Sequence, residues 1–540
     1  MMIRGNIVDV LRREIFFGTL RIENGRIQSI ERVKGANDTY ILPGFVDAHV
    51  HIESSMLVPS EFARLAVVHG TVATVSDPHE IANVLGVAGV QYMIENGRQT
   101  PFKFYFGAPS CVPATGFETA GARINTADVE ALLQQPAIKY LAEMMNYPGV
   151  LHGDPEVLAK IAAAQAVGKP IDGHAPGLRG DDARRYIEAG MSTDHECYQI
   201  NEALDKLRYG MKIIIREGSA AKNFAELIPL MARHADQLMF GSDDKHPDDL
   251  IAGHINQLVA SALQLGYDLF DVLQAACVNP VKHYGLEVGL LQPGDPADFI
   301  LTDNLQDFNV QATYINGQLV AEKGKTLLPR VAAGLVNHFE ATAKAPDDFR
   351  LIAETAQIRV IKAIDGAIVT ESFIAPATIV NGSPVASIAQ DILKIAVVNR
   401  YANTAPAVAF IQGFGLRTGA IASCVGHDSH NIIAVGVDDA AICRAVNAVI
   451  AHRGGISAVN EHETKVLPLP VAGIMSQADG YLIAEKYAEI DTFVKKVLGS
   501  QLSAPFMTLS FMALLVIPEL KLSDRGLFDG KQFAFTPLFV

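Results

Sequence analysis

The sequence contains few cysteines, and their placement excludes one class of fold. Five cysteines occur in 540 residues, far apart and never as a C-x-x-C pair. Disulfide-rich secreted scaffolds and structural zinc sites depend on closely spaced, paired cysteines. We therefore expect neither a disulfide framework nor a structural zinc site, and we expect a reducing, cytoplasmic location.

Clustered positive charge and long apolar segments are also lacking. Lys and Arg total 44 against 59 for Asp and Glu, which gives a net charge of −15. Nucleic-acid surfaces need clustered cations, so we expect no nucleic-acid partner. The most apolar stretch, residues 506–517, is flanked by prolines and is shorter than the about 20 residues that cross a bilayer. The N-terminal residues contain no apolar run typical of a signal peptide. These features predict a soluble protein without a membrane partner.

The composition supplies enough apolar residues for several domains. Hydrophobic residues make up 49% of the chain and charged residues 19%, which excludes global disorder. Strand-like segments with Asn-Gly turns occur on both sides of a long central segment. We predict a small composite β-domain from residues 1–41 and 285–343, with a domain of residues 42–284 inserted in it. Residues 344–540 mix strand and helix patterns and are predicted to form a C-terminal α+β domain.

The inserted segment alternates apolar runs with helical patterns, for example over residues 80–97 and 247–265. Eight such runs are typical of buried strands: 45–51, 72–76, 103–110, 138–144, 170–174, 191–195, 211–216 and 237–242. Eight strands alternating with helices over about 240 residues predict a (β/α)8 barrel of the α/β class. A doubly wound parallel sheet is the alternative that the pattern leaves open.

Metal-ligand residues stand at the ends of these predicted strands. The C-terminal strand ends of a (β/α)8 barrel meet at one face, where catalytic groups lie. His49 and His51 are two apart on one strand and so point the same way. Four imidazoles and two carboxylates are more ligands than one ion requires, and they predict two divalent metal ions bridged by a carboxylate. The six residues are His49, His51, Glu143, His174, His195 and Asp243.

The segment around the first histidine pair resembles a known signature. Residues 43–51, Pro-Gly-Phe-Val-Asp-Ala-His-Val-His, resemble the first-strand motif of the amidohydrolase superfamily of metal-dependent hydrolases. Longer segments resemble the bacterial adenine deaminase family more specifically. They are residues 47–56, 76–85, 141–149, 172–177, 192–196, 241–248 and, in the third region, 427–436. The resemblance therefore covers essentially the whole chain.

The resemblance implies an activity and a metal. It implies hydrolytic removal of the 6-amino group of adenine, giving hypoxanthine and ammonia, as in purine salvage. Imidazole and carboxylate ligands without thiolate suit Mn²⁺, Fe²⁺ or Zn²⁺, and the resemblance favours Mn²⁺. Glu143 stands where hydantoinase-like relatives usually carry a carboxylated lysine, which favours the deaminase branch. A homodimer is expected from the resemblance and from the apolar C-terminal region.

We assign the roles of the six residues within this reading. His49, His51, His174 and His195 would hold the two ions, with Glu143 bridging them. Asp243 would bind one ion, take the proton of the attacking hydroxide and pass it to the departing ammonia. Binding to a divalent metal lowers the pKa of water from 15.7 to about 7, a larger effect than the about 10²–10⁴-fold of a general base alone.

A further group must protonate or hydrogen-bond ring nitrogen N1. Glu118 is our first candidate, because its glycine-containing loop could fold over the pocket. His79 and Glu80, after the second strand, are further candidates, although they could instead cap the helix beginning near Ile81.

Other polar residues near the strand ends have supporting roles or alternatives. Asp244 is another candidate for the ring nitrogen, but it could simply pair with Lys245. Glu53 is expected to orient a ligand imidazole. Arg216, at the end of the seventh strand, is expected to form an internal ion pair.

The ligand set alone leaves other functions open. A cyclic amide hydrolase acting on a hydantoin- or imidazolone-like ring would use the same ligands. A binding or scaffold protein that kept the barrel is a second alternative, although such proteins usually lose metal ligands. In the third region, His427, Asp428 and His430 also look ligand-like. We interpret them as a turn packed against the barrel mouth and keep a contribution to the site as a side hypothesis.

Overall fold

The computed structural model describes the whole chain, residues 1–540, and begins with four strands. They are β1 (Met2–Asp9), β2 (Glu14–Glu23), β3 (Arg26–Arg32) and β4 (Tyr40–Pro43). The turn between β2 and β3 is the predicted Asn24-Gly25 pair, whose φ angles are 49° and 74°. Two consecutive positive φ angles match the twist of a tight hairpin, and Asn-Gly tolerates them best.

The next eight strands form the predicted parallel barrel. They are β5 (Phe45–Val50), β6 (Thr71–Ser76), β7 (Lys103–Ala108), β8 (Ile138–Met144), β9 (Ile171–Gly173), β10 (Thr193–Asp194), β11 (Lys212–Arg216) and β12 (Leu238–Gly241). They hydrogen-bond in chain order. The last strand returns to the first through Asp243, whose N–H donates to the His49 carbonyl (2.9 Å). The fold is therefore the barrel that the sequence predicts, rather than a doubly wound sheet.

Helices connect the barrel strands along the chain and follow the last of them. They are α1 (Pro59–Ala66), α2 (His79–Leu85), α3 (Val87–Gly97), α4 (Thr126–Leu133), α5 (Tyr147–His152), α6 (Pro155–Ala166), α7 (Gly180–Glu188), α8 (Ile200–Arg208), α9 (Phe224–Leu227), α10 (Met231–His234), α11 (Pro247–Ala252), α12 (Ile255–Gln264), α13 (Leu269–Leu273) and α14 (Asn279–Tyr284). The pattern over residues 80–97 forms two helices, because Gly86 between them adopts φ 62°, ψ −143°. Only glycine adopts such a conformation easily, so the glycine at position 86 accounts for the break between the two helices.

Four more strands complete the first sheet. They are β13 (Phe299–Thr302), β14 (Val310–Ile315), β15 (Gln318–Glu322) and β16 (Lys325–Thr326). The sheet order is β16-β15-β14-β13-β4-β1-β2-β3, so β4 joins strands from the two sides of the barrel. This is the predicted composite β-domain. The residue boundaries that we assigned to the three domains stay a prediction.

The C-terminal region combines an eight-stranded sheet with helices. The region contains thirteen strands, eight in the large sheet and five in two small sheets, β19-β20 and β27-β28-β29. They are β17 (Gln357–Ala363), β18 (Thr370–Pro376), β19 (Thr378–Val380), β20 (Ser383–Val385), β21 (Ile392–Val398), β22 (Ala407–Gln412), β23 (Ala420–Ser423), β24 (Ile432–Gly436), β25 (Ile456–Val459), β26 (Thr464–Leu467), β27 (Leu520–Ser523), β28 (Gly526–Asp529) and β29 (Ala534–Phe535). The helices are α15 (Asp439–Ala451), α16 (Gly480–Phe493) and α17 (Pro505–Ser510). The large sheet runs β18-β17-β22-β21-β24-β23-β25-β26.

The barrel and the C-terminal region share one core. The largest buried apolar cluster extends from the barrel strands to the sheet and helices after residue 360. The C-terminal region is thereby held against the mouth of the barrel. None of the helices is both long enough and apolar enough to cross a membrane.

Candidate metal centre and active site

The first three predicted ligands meet where the barrel closes. His51 N–H donates to the Asp243 carbonyl (3.3 Å), so the first and last strands fix the three side chains relative to one another. His49 Nε2 lies 3.2 Å from His51 Nε2. Asp243 Oδ1 lies 3.6 Å from the first of these nitrogens and 3.3 Å from the second. Three donor atoms therefore converge in a buried space.

Glu143, at the end of β8, connects this group to two further histidines. Its Oε1 lies 3.5 Å from His51 Nε2. Its Oε2 lies 2.8 Å from His174 Nδ1 and 3.0 Å from His195 Nε2. The two oxygens of one carboxylate thus face two separate sets of imidazoles.

The donor atoms form buried groups that could hold divalent cations. Atoms bound about 2.1 Å from one ion at about 90–110° lie about 3.0–3.4 Å apart, close to the distances above. Burial lowers the pKa of His49, and that of His195 to about 4, so both stay neutral as ligation requires. Around His51, burial and the nearby His79 lower the pKa, but the carboxylates of Asp244, Glu143 and Asp77 outweigh them and raise it to about 9.

An arginine fixes the carboxylate of Asp243 on its other side. Arg216 donates to Asp243 Oδ2, and it pairs with both oxygens of Glu196 at 2.7 and 2.8 Å. The structure thus contains the internal ion pair expected of Arg216. Glu196 was not among our candidates, although it directly follows a strand-end histidine.

A second buried network holds the strand that carries the first histidine pair. Asp47 Oδ1 accepts from the backbone N–H of His49 (3.3 Å) and of Ser242 (3.0 Å). Its Oδ2 lies 2.8 Å from His254 Nε2, and Thr71 Oγ1 contacts the other nitrogen of that ring (2.7 Å). Asp47 therefore ties together the two backbone segments that present His49 and Asp243.

The residues after β6 contact both the site and the C-terminal region. His79 Nδ1 lies 3.1 Å from Asp77 Oδ2 and 3.4 Å from Glu143 Oε1. Helix α2 begins at His79, two residues before the predicted start. The Glu80 carboxylate does not only complement the helix N-terminus, because it contacts the imidazoles of His427 and His430. Asp77 was not a candidate in the sequence.

Glu118 lies behind the site rather than in it. Its carboxylate accepts from Thr115 Oγ1 (3.1 Å) and Ser429 Oγ (2.7 Å). Burial and the nearby Asp428 raise its pKa to about 8. Glu118 is absent from the cavity lining, because its loop docks on residues 427–430 instead of folding over the metal ligands.

Two other candidates bind neighbouring main-chain and side-chain groups. Glu53 Oε1 accepts from the backbone N–H of Ile81 (3.2 Å). Asp244 Oδ1 accepts from Ser54 Oγ (2.5 Å) rather than pairing with Lys245. Both contacts link the loop after the first strand to the rim of the site.

A narrow cavity leads to these groups, and the C-terminal region forms one wall. The ammonium of buried Lys521 donates to the carbonyls of Ile368 (2.7 Å) and Phe511 (3.0 Å), two residues of that wall. The cavity is lined by His51, His79, Glu80, Glu143, Met145, His174, His195, Glu196, Arg216, Asp243, Asp244, Ile368, His427, Asp428, Phe511 and Leu514. The turn at residues 427–428 therefore packs against the barrel mouth and lines the cavity, and its contribution to the site stays a hypothesis.

Comparison with known proteins agrees with this architecture. Residues 40–320 match the model of the amidohydrolase family, and residues 367–534 match that of the adenine deaminase C-terminal domain. An adenine deaminase of Sulfurovum sp. is 59% identical over 535 residues, which cover 99% of both chains. The chain belongs to the adenine deaminase family.

Other members of the adenine deaminase family match over a similar length. The adenine deaminase of Salinibacter ruber is 58% identical over 539 residues, covering 100% of this chain and 99% of the relative. That of Borreliella burgdorferi is 48% identical over 540 residues, covering 99% and 98%. The similarity thus includes the barrel, the composite sheet and the C-terminal region.

Proposed function

We propose that the protein hydrolyses adenine to hypoxanthine and ammonia with two divalent metal ions. The observation that carries the proposal is the arrangement around Glu143, whose two oxygens face separate imidazole sets in a chain of the adenine deaminase family. A carboxylate shared in this way suits a pair of cations about 3.5–4 Å apart.

One ion would be held by His49, His51 and Asp243, and the other by His174 and His195, with Glu143 shared. Nitrogen and oxygen donors without thiolate suit Mn²⁺, which we propose as the native ion, with Fe²⁺ and Zn²⁺ as alternatives. When bound, the two cations supply a nucleophile at neutral pH by lowering the pKa of water.

Asp243 is the proposed base and proton carrier. It would accept a proton from the water that attacks C6 and deliver it to the departing amino group, which leaves as ammonia. Arg216 holds Asp243 through Oδ2, leaving Oδ1 to face the histidine pair. Glu196 shares the charge of that guanidinium and keeps it in place.

His79 is the proposed partner of ring nitrogen N1. Its imidazole lines the cavity next to Glu143, whereas Glu118 does not reach the cavity. Asp77 contacts Nδ1 of His79 (3.1 Å), whereas Nε2 lies 3.5 Å from Glu80 Oε1 and 3.8 Å from Asp428 Oδ1, so Nε2 is the nitrogen that would reach the substrate. We assign Glu118 to positioning the turn at Asp428 through its bond to Ser429.

The proposal includes where the protein is located and how it assembles. All five cysteines are free and buried, in keeping with the cytoplasmic location that we propose. The homodimer stays a prediction from the family resemblance.

The test is product release from adenine by protein reconstituted with Mn²⁺, beside a sample kept in chelator. Hypoxanthine and ammonia formed only with metal would support reaction and cofactor together. Release by neither sample, with two metal equivalents bound, would contradict adenine as substrate, and a panel of hydantoin-like cyclic amides would follow.

A further inference from the structure

His427 belongs to the C-terminal region but lies in the wall of the barrel cavity. It follows the strand β23 and precedes β24, in the turn that contacts the barrel mouth. Its side chain is 3% exposed. The ring stacks on Phe511, another cavity residue, with centroids 5.0 Å apart and an interplanar angle of 19°.

Glu80 fixes the orientation of this imidazole. Oε1 of Glu80 contacts His427 Nδ1, and Oε2 lies 2.5 Å from His430 Nε2. A carboxylate from the barrel is thus held by two histidines of one turn. Because Nδ1 of His427 faces Glu80, its other nitrogen points away from that carboxylate.

The second nitrogen of His427 has no hydrogen-bond partner. Nε2 is buried, and its nearest acidic atom is Asp244 Oδ1 at 3.6 Å, which is too long for a hydrogen bond. Asp244 is already bound to Ser54 and also lines the cavity. Buried polar atoms are nearly always paired, so Nε2 of His427, in the cavity wall, is available to a polar atom of a molecule bound in the cavity.

The chemistry of His427 determines what that ligand atom is. Burial disfavours charge on the ring, but the carboxylates of Glu80 and Asp244 outweigh it and raise the pKa of His427 to about 9. A protonated imidazole donates from both nitrogens. The partner of Nε2 is therefore an acceptor, and adenine presents acceptor nitrogens around its ring.

We propose that His427, oriented by Glu80, binds the purine by donating a hydrogen bond from Nε2 to a ring nitrogen. The C-terminal region then supplies part of the substrate site, and His427 helps to select a purine over a ring without that acceptor. This inference rests on the adenine function proposed above.

The test compares ring analogues in matched variants. Inhibition constants of 3-deazaadenine and 7-deazaadenine, and the KM of adenine, are measured for wild type, His427→Ala and His427→Gln. His452→Ala is the control, because His452 is an exposed histidine of the same region. Metal content and melting temperature are measured for each protein.

For wild type we expect one analogue to bind about 10- to 100-fold more weakly than adenine, the loss of one charge-assisted hydrogen bond. In His427→Ala the analogue should bind about as tightly as adenine, because the hydrogen bond that distinguishes them is gone. The KM of adenine should rise by about 10- to 100-fold, and two metal equivalents should be retained. His427→Gln should recover part of the discrimination, and the control should match wild type.

Two results would overturn the inference. Unchanged analogue ratios in a folded His427→Ala protein would show that Nε2 does not contact the ring. Loss of a metal equivalent in that variant would make His427 a metal ligand instead. If wild type itself does not deaminate adenine, the proposed function has failed, and this inference fails with it.

Discussion

Replacing Glu143 with glutamine tests the bridging arrangement most sharply. The substitution keeps the shape of the side chain but removes its charge and turns one oxygen into a donor. Glu143 faces four imidazole nitrogens, at 2.8, 3.0, 3.4 and 3.5 Å, and three of these belong to proposed ligands, so both proposed ions would lose a ligand. Two histidines would also lose the carboxylate that holds them.

The loss of metal affinity expected for Glu143→Gln can be estimated from substitutions that disturb a metal site less. A residue that merely orients a metal ligand costs about 10–100-fold in metal affinity when it is removed. A ligand shared by both ions should cost at least the upper value, about 100-fold, which is about 3 kcal/mol. Activity should then be undetectable at metal concentrations that saturate the wild type.

Chelator competition with Mn²⁺, followed by metal analysis of the isolated protein, measures this change. Glu61→Gln is the matched control, because Glu61 is as buried as Glu143 but pairs with Arg64 and Arg330 outside the cavity. It should lose stability and keep both ions. Two ions bound to Glu143→Gln with wild-type affinity would refute the bridging role.

Three further predictions address neighbouring groups. Asp243→Asn at saturating metal should lower kcat by about 10²–10⁴-fold and change KM far less; steady-state kinetics with equal losses in both would contradict its role as base. Asp47→Asn should weaken Mn²⁺ binding by about 10–100-fold in chelator titrations, because it positions His49 and Asp243. Burial lowers the pKa of Lys521 from 10.5 to about 7, so unfolding takes up a proton between these pH values and stability rises with pH there. Urea unfolding at about pH 7 and about pH 9.5 measures this effect: the free energy of unfolding of the wild type should rise by about 3 kcal/mol more than that of Lys521→Met. Parallel pH profiles of the two proteins would contradict the lowered pKa.

The barrel and its strand-end ligands could be predicted because their signals are local. A buried strand and the histidine that ends it lie within a few residues, so apolar runs place both. His49, His51 and Glu143 follow from that spacing alone. The geometry of a parallel barrel then brings distant strand ends together without further information.

The supporting contacts could not be predicted, because they join distant parts of the chain. Glu80 and His427 are 347 residues apart, and Asp47 and His254 are 207 apart. No local pattern pairs them. Glu118 was favoured for its loop, but the structure docks that loop on Ser429, a contact 311 residues distant. Sequence reasoning therefore located the candidate ligands, whose role in metal binding stays a prediction, and missed the contacts that orient them.

The most direct test of the account is the release of hypoxanthine and ammonia from adenine, measured with Mn²⁺-loaded and chelated protein side by side. We predict equimolar products, two metal equivalents per chain and no turnover in the chelated sample. Turnover that survives complete metal removal would contradict the two-metal centre, and a fully metal-loaded protein that leaves adenine intact would contradict the proposed reaction.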